Sequence, residues 1–179
     1  SQLAVSAPAS VPELIRILKG GVRSQSPSLP VMEEVLQDQV YFPENSHLDI
    51  QRNIAKIIQQ ATKTLWIYDA YMDEKIVVEC REVPAQDIRL LTDKPTPLFS
   101  QRLAALKQQF STKQIEARRH AGSHDRYYII DQDQVWTLGA SYKNAGKKAT
   151  VLSKITIEQD KLKLLKDFEG WWGSAKPVV

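Results

Sequence analysis

Three apolar runs joined only by short turns place the strongest constraint on how this chain folds. They are residues 125–131 (DRYYIID), 135–141 (VWTLGAS) and 149–157 (ATVLSKITI). Each run is rich in aromatic and β-branched residues, which favour strands. The connections are too short to hold a crossover helix, so neighbouring strands must pair antiparallel. The sequence therefore predicts a β-meander in the C-terminal half.

The preceding residues alternate between helical and strand patterns. Apolar residues recur at helical spacing over 48–61, and a helix is expected to begin at Pro97 and continue to residue 110. Strands are predicted at residues 64–71, 87–93 and 114–119. This order indicates an αβ unit followed by a βαβ unit.

A last helix is predicted over residues 159–172. Its apolar face is expected to consist of Leu162, Leu165, Phe168 and Trp172. Together with the strands, it favours an α/β domain with a mixed β-sheet and helices on both faces.

The first forty residues differ from the rest in composition. They hold four of the nine prolines and many serines, which is typical of an arm or linker with short helices. We therefore expect an arm over residues 1–40 and one compact domain over residues 41–179. The sequence begins at Ser1 rather than methionine, so an upstream domain of the same full-length protein is expected as a partner.

The cellular setting is inferred from a lone cysteine and from hydropathy. Cys80 has no second cysteine with which to form an internal disulfide, which favours a reducing compartment. No run approaches the roughly 20 apolar residues of a membrane span. We expect a soluble, cytoplasmic protein.

A histidine and an arginine stand two residues apart at the start of the run 125–131. In a strand, His124 and Arg126 project to the same side, together with Tyr128 and Ile130. A neutral imidazole can attack phosphorus, and a fixed guanidinium can hold the anionic oxygens. These residue types suit phosphodiester chemistry without a metal or other cofactor.

A second polar segment follows on the next predicted strand. Gly139 allows close approach of a ligand, and Ser141 and Asn144 offer hydroxyl and amide groups to a phosphate. The surrounding residues 118–154 contain seven Lys or Arg against three Asp. Positive charge therefore gathers around this pair of segments.

The spacing His124-x-Arg126-x4-Asp131 resembles the H-x-K-x4-D motif of the phospholipase D superfamily, and residues 139–144 (GASYKN) resemble its Gly-Ser-x-x-Asn segment. The resemblance covers about residues 48–172 and implies one phospholipase D-like half. It implies His124 as the nucleophile, Arg126 as the phosphate-gripping residue and Asp131 as the motif aspartate. The phosphate contacts would be Arg126, Ser141, Asn144 and Lys143.

The sequence departs from that pattern at two positions of the motif. Arginine replaces lysine, and Ala140 separates Gly139 from Ser141. Such variants resemble the phospholipase D-like C-terminal domain of MIT-domain proteins, which binds acidic phospholipid without evident catalysis, and bacterial relatives with the sequence SHDR followed by GAS. Because arginine grips phosphate bidentately but does not give up a proton, binding is expected to survive better than turnover.

The motif occurs once, whereas sites of this superfamily use two copies. A complete site would require a homodimer that brings two copies of His124 together. The alternative is a monomer that binds without catalysis.

Three classes of function stay open from the sequence. The first is a domain that acts on or binds nucleic acid, as a metal-independent nuclease or as a degenerate relative. The second is a lipid-headgroup-binding module of a larger protein, and the third is a dimerisation or regulatory domain. His124 also fits a strand-end histidine satisfied by Asp125 or a backbone carbonyl. Asp69 and Asp73 flank residues 70–72 at the end of the first predicted strand and carry no assigned role.

Overall fold

The computed structural model describes residues 37–178. Most of the arm predicted for residues 1–40 lies outside the described residues. The compact unit that contains the described residues begins at Gln37. Its first strand starts at Gln39, so residues 39 and 40 belong to the sheet rather than to the arm.

Four helices and eight strands make up this unit. The helices are α1 (His47–Ile58), α2 (Glu74–Arg81), α3 (Pro97–Gln109) and α4 (Glu158–Ser174). The strands are β1 (Gln39–Phe42), β2 (Thr64–Tyr68), β3 (Asp87–Thr92), β4 (Gln114–Arg119), β5 (Arg126–Ile130), β6 (Gln134–Leu138), β7 (Thr150–Ile155) and β8 (Lys176–Pro177). A short 3-10 helix, Tyr142–Asn144, follows β6.

All eight strands form one mixed sheet in the order β1-β7-β6-β5-β2-β3-β4-β8. Strands β2, β3 and β4 are parallel, and every other pairing is antiparallel. The predicted meander of β5, β6 and β7 and the predicted βαβ unit of β3, α3 and β4 are both confirmed. The sequence patterns therefore gave the centre of the sheet correctly.

Helix α2 was not predicted from the sequence. It has only eight residues, of which Ile76, Val77 and Cys80 are buried, and such a short apolar pattern is hard to distinguish from a loop. The local signal is Asp73, whose side chain accepts a hydrogen bond from the backbone N–H of Lys75 at 3.1 Å. Asp73 is therefore the N-cap of α2.

Helix α4 covers one face of the sheet. Its buried residues are Leu164, Phe168 and Trp172, spaced four apart, and the Phe168 ring stacks on Trp66 of β2 at 5.0 Å between centroids. The prediction that Leu162 belongs to this face was wrong, because its side chain is 56% exposed. Two residues of helix rotate a side chain by about 200°, so Leu162 and Leu164 cannot share a face.

The other three helices cover the opposite face. Alternate residues of the central strands, such as Ile67 of β2 and Tyr128 of β5, point away from α4 and are fully buried. Helices α1, α2 and α3 supply their cover through their own buried apolar residues. Helices therefore lie on both faces, as predicted. No helix in residues 37–178 is both long and apolar enough to cross a membrane.

Candidate functional site

Several strand ends meet at one edge of the sheet. Tyr68 at the carboxyl end of β2 pairs with Tyr127 near the start of β5, and Arg126 pairs with Leu138 at the end of β6. In α/β sheets, ligands bind in the crevice outside the carboxyl ends of the parallel strands. His124 and Arg126 therefore lie at the edge where this fold forms a cleft.

An open pocket of about 370 Å³ occupies this edge. The residues around it include Tyr68, Tyr71, Asp93, Ser123, His124 and Arg126. The structure thus brings together His124 and Arg126, the pair that the sequence placed on one side of a strand. His124 precedes β5 and is exposed, and its carbonyl oxygen accepts a hydrogen bond from Arg126 Nη1.

The guanidinium of Arg126 lies against a carboxylate that sequence reasoning left unassigned. Arg126 Nε is 3.6 Å from Asp69 Oδ1, and the two side chains are 13% and 1% exposed. This distance is that of an ion pair and is too long for a good hydrogen bond. Arg126 Nε is buried without a hydrogen-bond partner among residues 37–178. The ion pair therefore holds the guanidinium in position but leaves its Nε–H group without a good hydrogen-bond acceptor.

Asp69 also connects two loops at the pocket edge. Its Oδ1 accepts the backbone N–H of Tyr71 at 2.9 Å, and its Oδ2 accepts that of Tyr142 at 2.7 Å. One buried carboxylate thus joins the loop after β2, the start of β5 and the turn after β6. The available sequence signal was an aspartate directly after a doubly buried strand, but its partners lie far along the chain.

Burial raises the pKa of Asp69 above its usual value of 3.8. The two backbone N–H donors and the positive charge of Arg126 lower the pKa, and burial outweighs them. The Tyr128 hydroxyl, fully buried on β5, is also affected: burial, and then the charge of Asp69, raise its pKa well above 10. At the pocket end of β5, the buried Asp69 carboxyl group is therefore harder to ionise than it would be in water.

Asp131, the aspartate of the motif, does not reach the pocket. It follows the far end of β5, five residues or about 17 Å from Arg126. Its carboxylate accepts the backbone N–H groups of Thr62, Lys63 and Thr64 at 2.7–3.2 Å and the Thr62 hydroxyl at 2.9 Å. Although partial burial opposes ionisation, these donors lower the pKa of Asp131. Its position is that of a structural cap at the start of β2.

The segment after β6 presents its backbone, rather than its polar side chains, to the site. Ser141 is 3% exposed and does not line the pocket. The Asn144 side-chain oxygen accepts a hydrogen bond from Lys147 Nζ at 2.9 Å on the surface. Lys143 Nζ lies 6.0 Å from the ring centroid of Tyr71, which lines the pocket. The 3-10 turn after Ala140 directs the Tyr142 N–H to Asp69, the carboxylate that also pairs with Arg126.

An aromatic cluster of Tyr68, His120, Tyr127 and Trp171 supports the loop that carries His124. The Tyr68 hydroxyl accepts the backbone N–H groups of Gly122 and Ser123 at 3.0 and 2.9 Å and donates to the His120 carbonyl at 3.3 Å. The His120 ring stacks on Trp171 of α4, with centroids 5.7 Å apart. A Cβ on Gly122 would lie 2.2 Å from His120 Cε1, so a larger residue at this position would have to displace the His120 ring.

Within residues 37–178, no three His, Cys, Asp or Glu side chains converge so as to hold a metal ion. The pocket is lined by one carboxylate, one guanidinium and one imidazole, those of Asp93, Arg126 and His124.

Comparison with family models and with curated proteins gives no match for this sequence. Solved structures do match. NucT from Helicobacter pylori has a TM-score of 0.59 at 12% identity, covering 78% of this chain and 98% of its own. Nuc from Salmonella typhimurium, a phospholipase D family member, has a TM-score of 0.54 at 17% identity, covering 78% and 95%.

A third solved structure is TrmBL2, an archaeal chromatin protein with a novel mode of DNA binding. Its TM-score is 0.52 at 14% identity, and the match covers 93% of this chain and 61% of TrmBL2. At these identities the likeness concerns the fold. The described domain has a phospholipase D-like fold, with His124 and Arg126 side by side at the edge where its strands open a pocket.

Proposed function

We propose that this domain binds the phosphodiester groups of nucleic acid in the pocket beside Arg126, as a phospholipase D-like domain with weak or no turnover. The observation that carries the proposal is the Arg126 guanidinium at the pocket, a permanent cation held by Asp69 and by the His124 carbonyl. Guanidinium is the side-chain group best matched to phosphate oxygens.

The charge around the pocket supports a polyanionic ligand. Lys143 lies beside Tyr71 at the pocket wall, and Lys147 and Lys148 are exposed in the turn that follows. Cations along a surface track a phosphate backbone and attract it from a distance. The fold shared with NucT, with the phospholipase D family member Nuc and with a chromatin protein that binds DNA supports the same ligand class.

Turnover would require His124 as the nucleophile and another side chain as the general acid that protonates the leaving group. His124 is the exposed imidazole of the pocket and is the candidate nucleophile. The ring of the nearby His120 packs against Tyr68 and Trp171 and has its Nδ1 buried, so it is poorly placed to protonate a leaving group. We propose that a homodimer would be needed to supply a second His124, and that the isolated domain turns over slowly or not at all.

The binding proposal is tested by the salt dependence of oligonucleotide affinity, measured by fluorescence anisotropy. Arg126→Ala should weaken binding to all sequences by about 1–3 kcal/mol and reduce the log–log salt slope by about 0.9. Arg102→Ala, which removes an exposed charge from α3, is the matched control and should have little effect. Salt-insensitive binding, or unchanged binding in Arg126→Ala, would reject the proposal.

Turnover is tested separately with His124→Ala and Arg126→Lys. His124→Ala should abolish any phosphodiesterase activity and leave most of the binding intact, because affinity rests on Arg126 and the lysines. Arg126→Lys restores the residue of the phospholipase D motif and should raise EDTA-resistant activity above background if the site is otherwise sound. Activity that persists in His124→Ala would locate the chemistry elsewhere.

A further inference from the structure

We infer, on the basis of the proposed function, that the pocket recognises a nucleotide rather than its phosphate alone. Asp93 accepts a hydrogen bond from a donor on the nucleoside, and Tyr71 stacks on the base. The donor is a ribose hydroxyl or an exocyclic amine, which present the same chemistry to a carboxylate. Asp93 and Tyr71 are then the residues that determine specificity at the site of Arg126.

The first step is the charge of the pocket. Asp93 lines the same pocket as His124 and Arg126. A carboxylate repels a phosphate and can only accept hydrogen bonds when ionised. A site for phosphate alone gains nothing from Asp93. A ligand that is anionic at one end and carries N–H or O–H donors at the other satisfies both Arg126 and Asp93.

The second step is that Asp93 is held in place while its carboxylate has no partner. The backbone N–H groups of Asp93 and Lys94 both donate to the Ala70 carbonyl, at 3.1 and 2.8 Å. These bonds attach Asp93 to the loop that also carries Asp69 and Tyr71. Within residues 37–178, no hydrogen bond or ion pair engages the Asp93 carboxylate. It is therefore available to a ligand in the pocket.

The third step is the ring of Tyr71. The residue is 39% exposed and lines the pocket. Its backbone N–H is fixed by Asp69 at 2.9 Å. Arg126 Cζ lies 5.9 Å and Lys143 Nζ 6.0 Å from the ring centroid. A partly exposed aromatic ring beside two phosphate-binding cations is the arrangement on which unpaired bases stack.

The fourth step is size. The pocket volume of about 370 Å³ lies near the lower end of the range for small-molecule sites, which runs from about 300 to 1,000 Å³. That space suits one nucleotide unit, with its phosphate at Arg126 and its base at Tyr71. A base held in a duplex could not bring its face to Tyr71, so the nucleotide is an unpaired one.

The test is competition by small ligands against a labelled oligonucleotide bound to the intact chain. The probes are inorganic phosphate, cytidine, uridine and deoxycytidine monophosphates, and phosphoethanolamine. We expect cytidine monophosphate to bind more tightly than inorganic phosphate. Asp93→Ala should weaken nucleotide binding several-fold and strengthen phosphate binding, because it removes both an acceptor and a negative charge.

Two further variants separate the base contact from the donor contact. Tyr71→Ala should weaken nucleotide binding about tenfold, the lower part of the range for one stacked base, and should weaken phosphate binding by less than that. Tyr71→Phe keeps the ring and should bind as the parent does. Asp93→Asn keeps the shape of the side chain and shows whether any effect of Asp93→Ala arises from misfolding.

The pyrimidine probes identify the donor. If Asp93→Ala removes a preference for cytidine over uridine monophosphate, the donor is the exocyclic amine. If it removes a preference for cytidine over deoxycytidine monophosphate, the donor is the ribose hydroxyl. Either result supports the inference.

The outcomes that overturn the inference differ from those that overturn the proposed function. If Asp93→Ala strengthens the binding of phosphate and of nucleotides equally, Asp93 only repels anions and the inference fails, although phosphodiester binding survives. Tighter binding of phosphoethanolamine than of any nucleotide would also reject it in favour of a zwitterionic headgroup. Nucleotide and phosphate binding that is unchanged in Arg126→Ala would reject the proposed function itself.

Discussion

The two ends of β5 carry the charged residues of one sequence motif and use them differently. At the amino end, Arg126 faces a pocket and a buried carboxylate that it does not fully satisfy. At the carboxyl end, Asp131 accepts hydrogen bonds from four donors of residues 62–64. Regular spacing in a strand separates these groups by about 17 Å. A motif that is continuous in sequence is thus divided between a ligand site and a structural cap.

The pKa values of the carboxylates at the two ends are shifted in opposite directions. Burial raises the pKa of Asp69 beside Arg126. Backbone donors lower the pKa of Asp131, which is more accessible to solvent. Ionisation therefore opposes folding at the pocket end and favours it at the far end. The comparison shows that the pocket is maintained against a local cost, as is common at functional sites.

Removing the buried carboxylate should have the largest effect on stability. Asp69→Ala leaves the Arg126 charge and the N–H groups of Tyr71 and Tyr142 without their acceptor. Loss of one partner of a buried pair costs about 3–5 kcal/mol, and we expect about 3 because Arg126 can hydrate from the pocket. Urea unfolding of the parent and of Asp69→Ala measures this loss in the free energy of unfolding. A cost below about 1 kcal/mol would show that the pocket end is not held by this carboxylate.

Removing the far carboxylate should affect stability alone. Asp131→Ala leaves three backbone N–H groups at the start of β2 without a partner, and we expect a loss of about 1–3 kcal/mol in the free energy of unfolding. Asp131 also has a left-handed φ of 53°, which asparagine tolerates better than alanine, so Asp131→Asn should cost less. Oligonucleotide affinity should not change. A loss of affinity in Asp131→Asn would show that Asp131 also contributes to ligand binding at the other end of β5.

Acid should act on the two carboxylates with opposite sign. The contribution of Asp131, whose folded pKa is lowered, is complete above its unfolded value near 3.8 and is lost as the pH falls through the folded pKa. Asp69, whose folded pKa is raised, stabilises the fold most below 3.8 and loses that contribution as the pH rises through the folded pKa.

Unfolding of the parent, Asp69→Asn and Asp131→Asn between pH 3 and pH 7 measures this difference. As the pH falls, the parent should gain stability relative to Asp69→Asn and lose its advantage over Asp131→Asn. If the free energy of unfolding has the same pH dependence in all three proteins, the two carboxylates do not differ in the way proposed.

The smallest effect is expected at the polar turn beyond β6. Asn144→Ala removes a surface hydrogen bond to Lys147 and should change stability by less than about 0.5 kcal/mol. Oligonucleotide affinity should change little, because Asn144 does not line the pocket. Anisotropy measurements that show a loss as large as that of Arg126→Ala would place the phosphate closer to this turn than to β5.

The parts of the fold that the sequence predicted are those with a long, regular pattern. Strands β2 to β7 and helices α1, α3 and α4 all have apolar periodicity that local sequence can show. Helix α2 is too short for such a pattern, and the two-residue strand β8 is defined only by its pairing with Arg118 and Arg119. Leu162 was assigned to the buried face because the apolar character of a residue does not by itself show which side of a helix is buried.

Only the site residues that lie close together in the sequence could be predicted. His124 and Arg126 are two residues apart in the sequence, and both line the pocket. Asp69, Tyr71 and Asp93 could not be predicted, because they lie on loops more than thirty residues earlier and meet Arg126 through the pairing of β2 with β5 and β3. The side-chain directions of Ser141 and Asn144 cannot be read from a Gly-x-Ser pattern, because they depend on the turn that follows β6.

The stacking of His120 on Trp171 gives this protein an internal optical reporter. The Trp171 indole is part of the aromatic cluster that supports the loop bearing His124, whereas Trp66 and Trp136 are almost fully buried on β2 and β6. A ligand that displaces this loop must alter the surroundings of Trp171 before those of Trp66 or Trp136. Fluorescence emission of a variant that retains only Trp171 would therefore report any displacement of this loop by a ligand, without a label on protein or ligand.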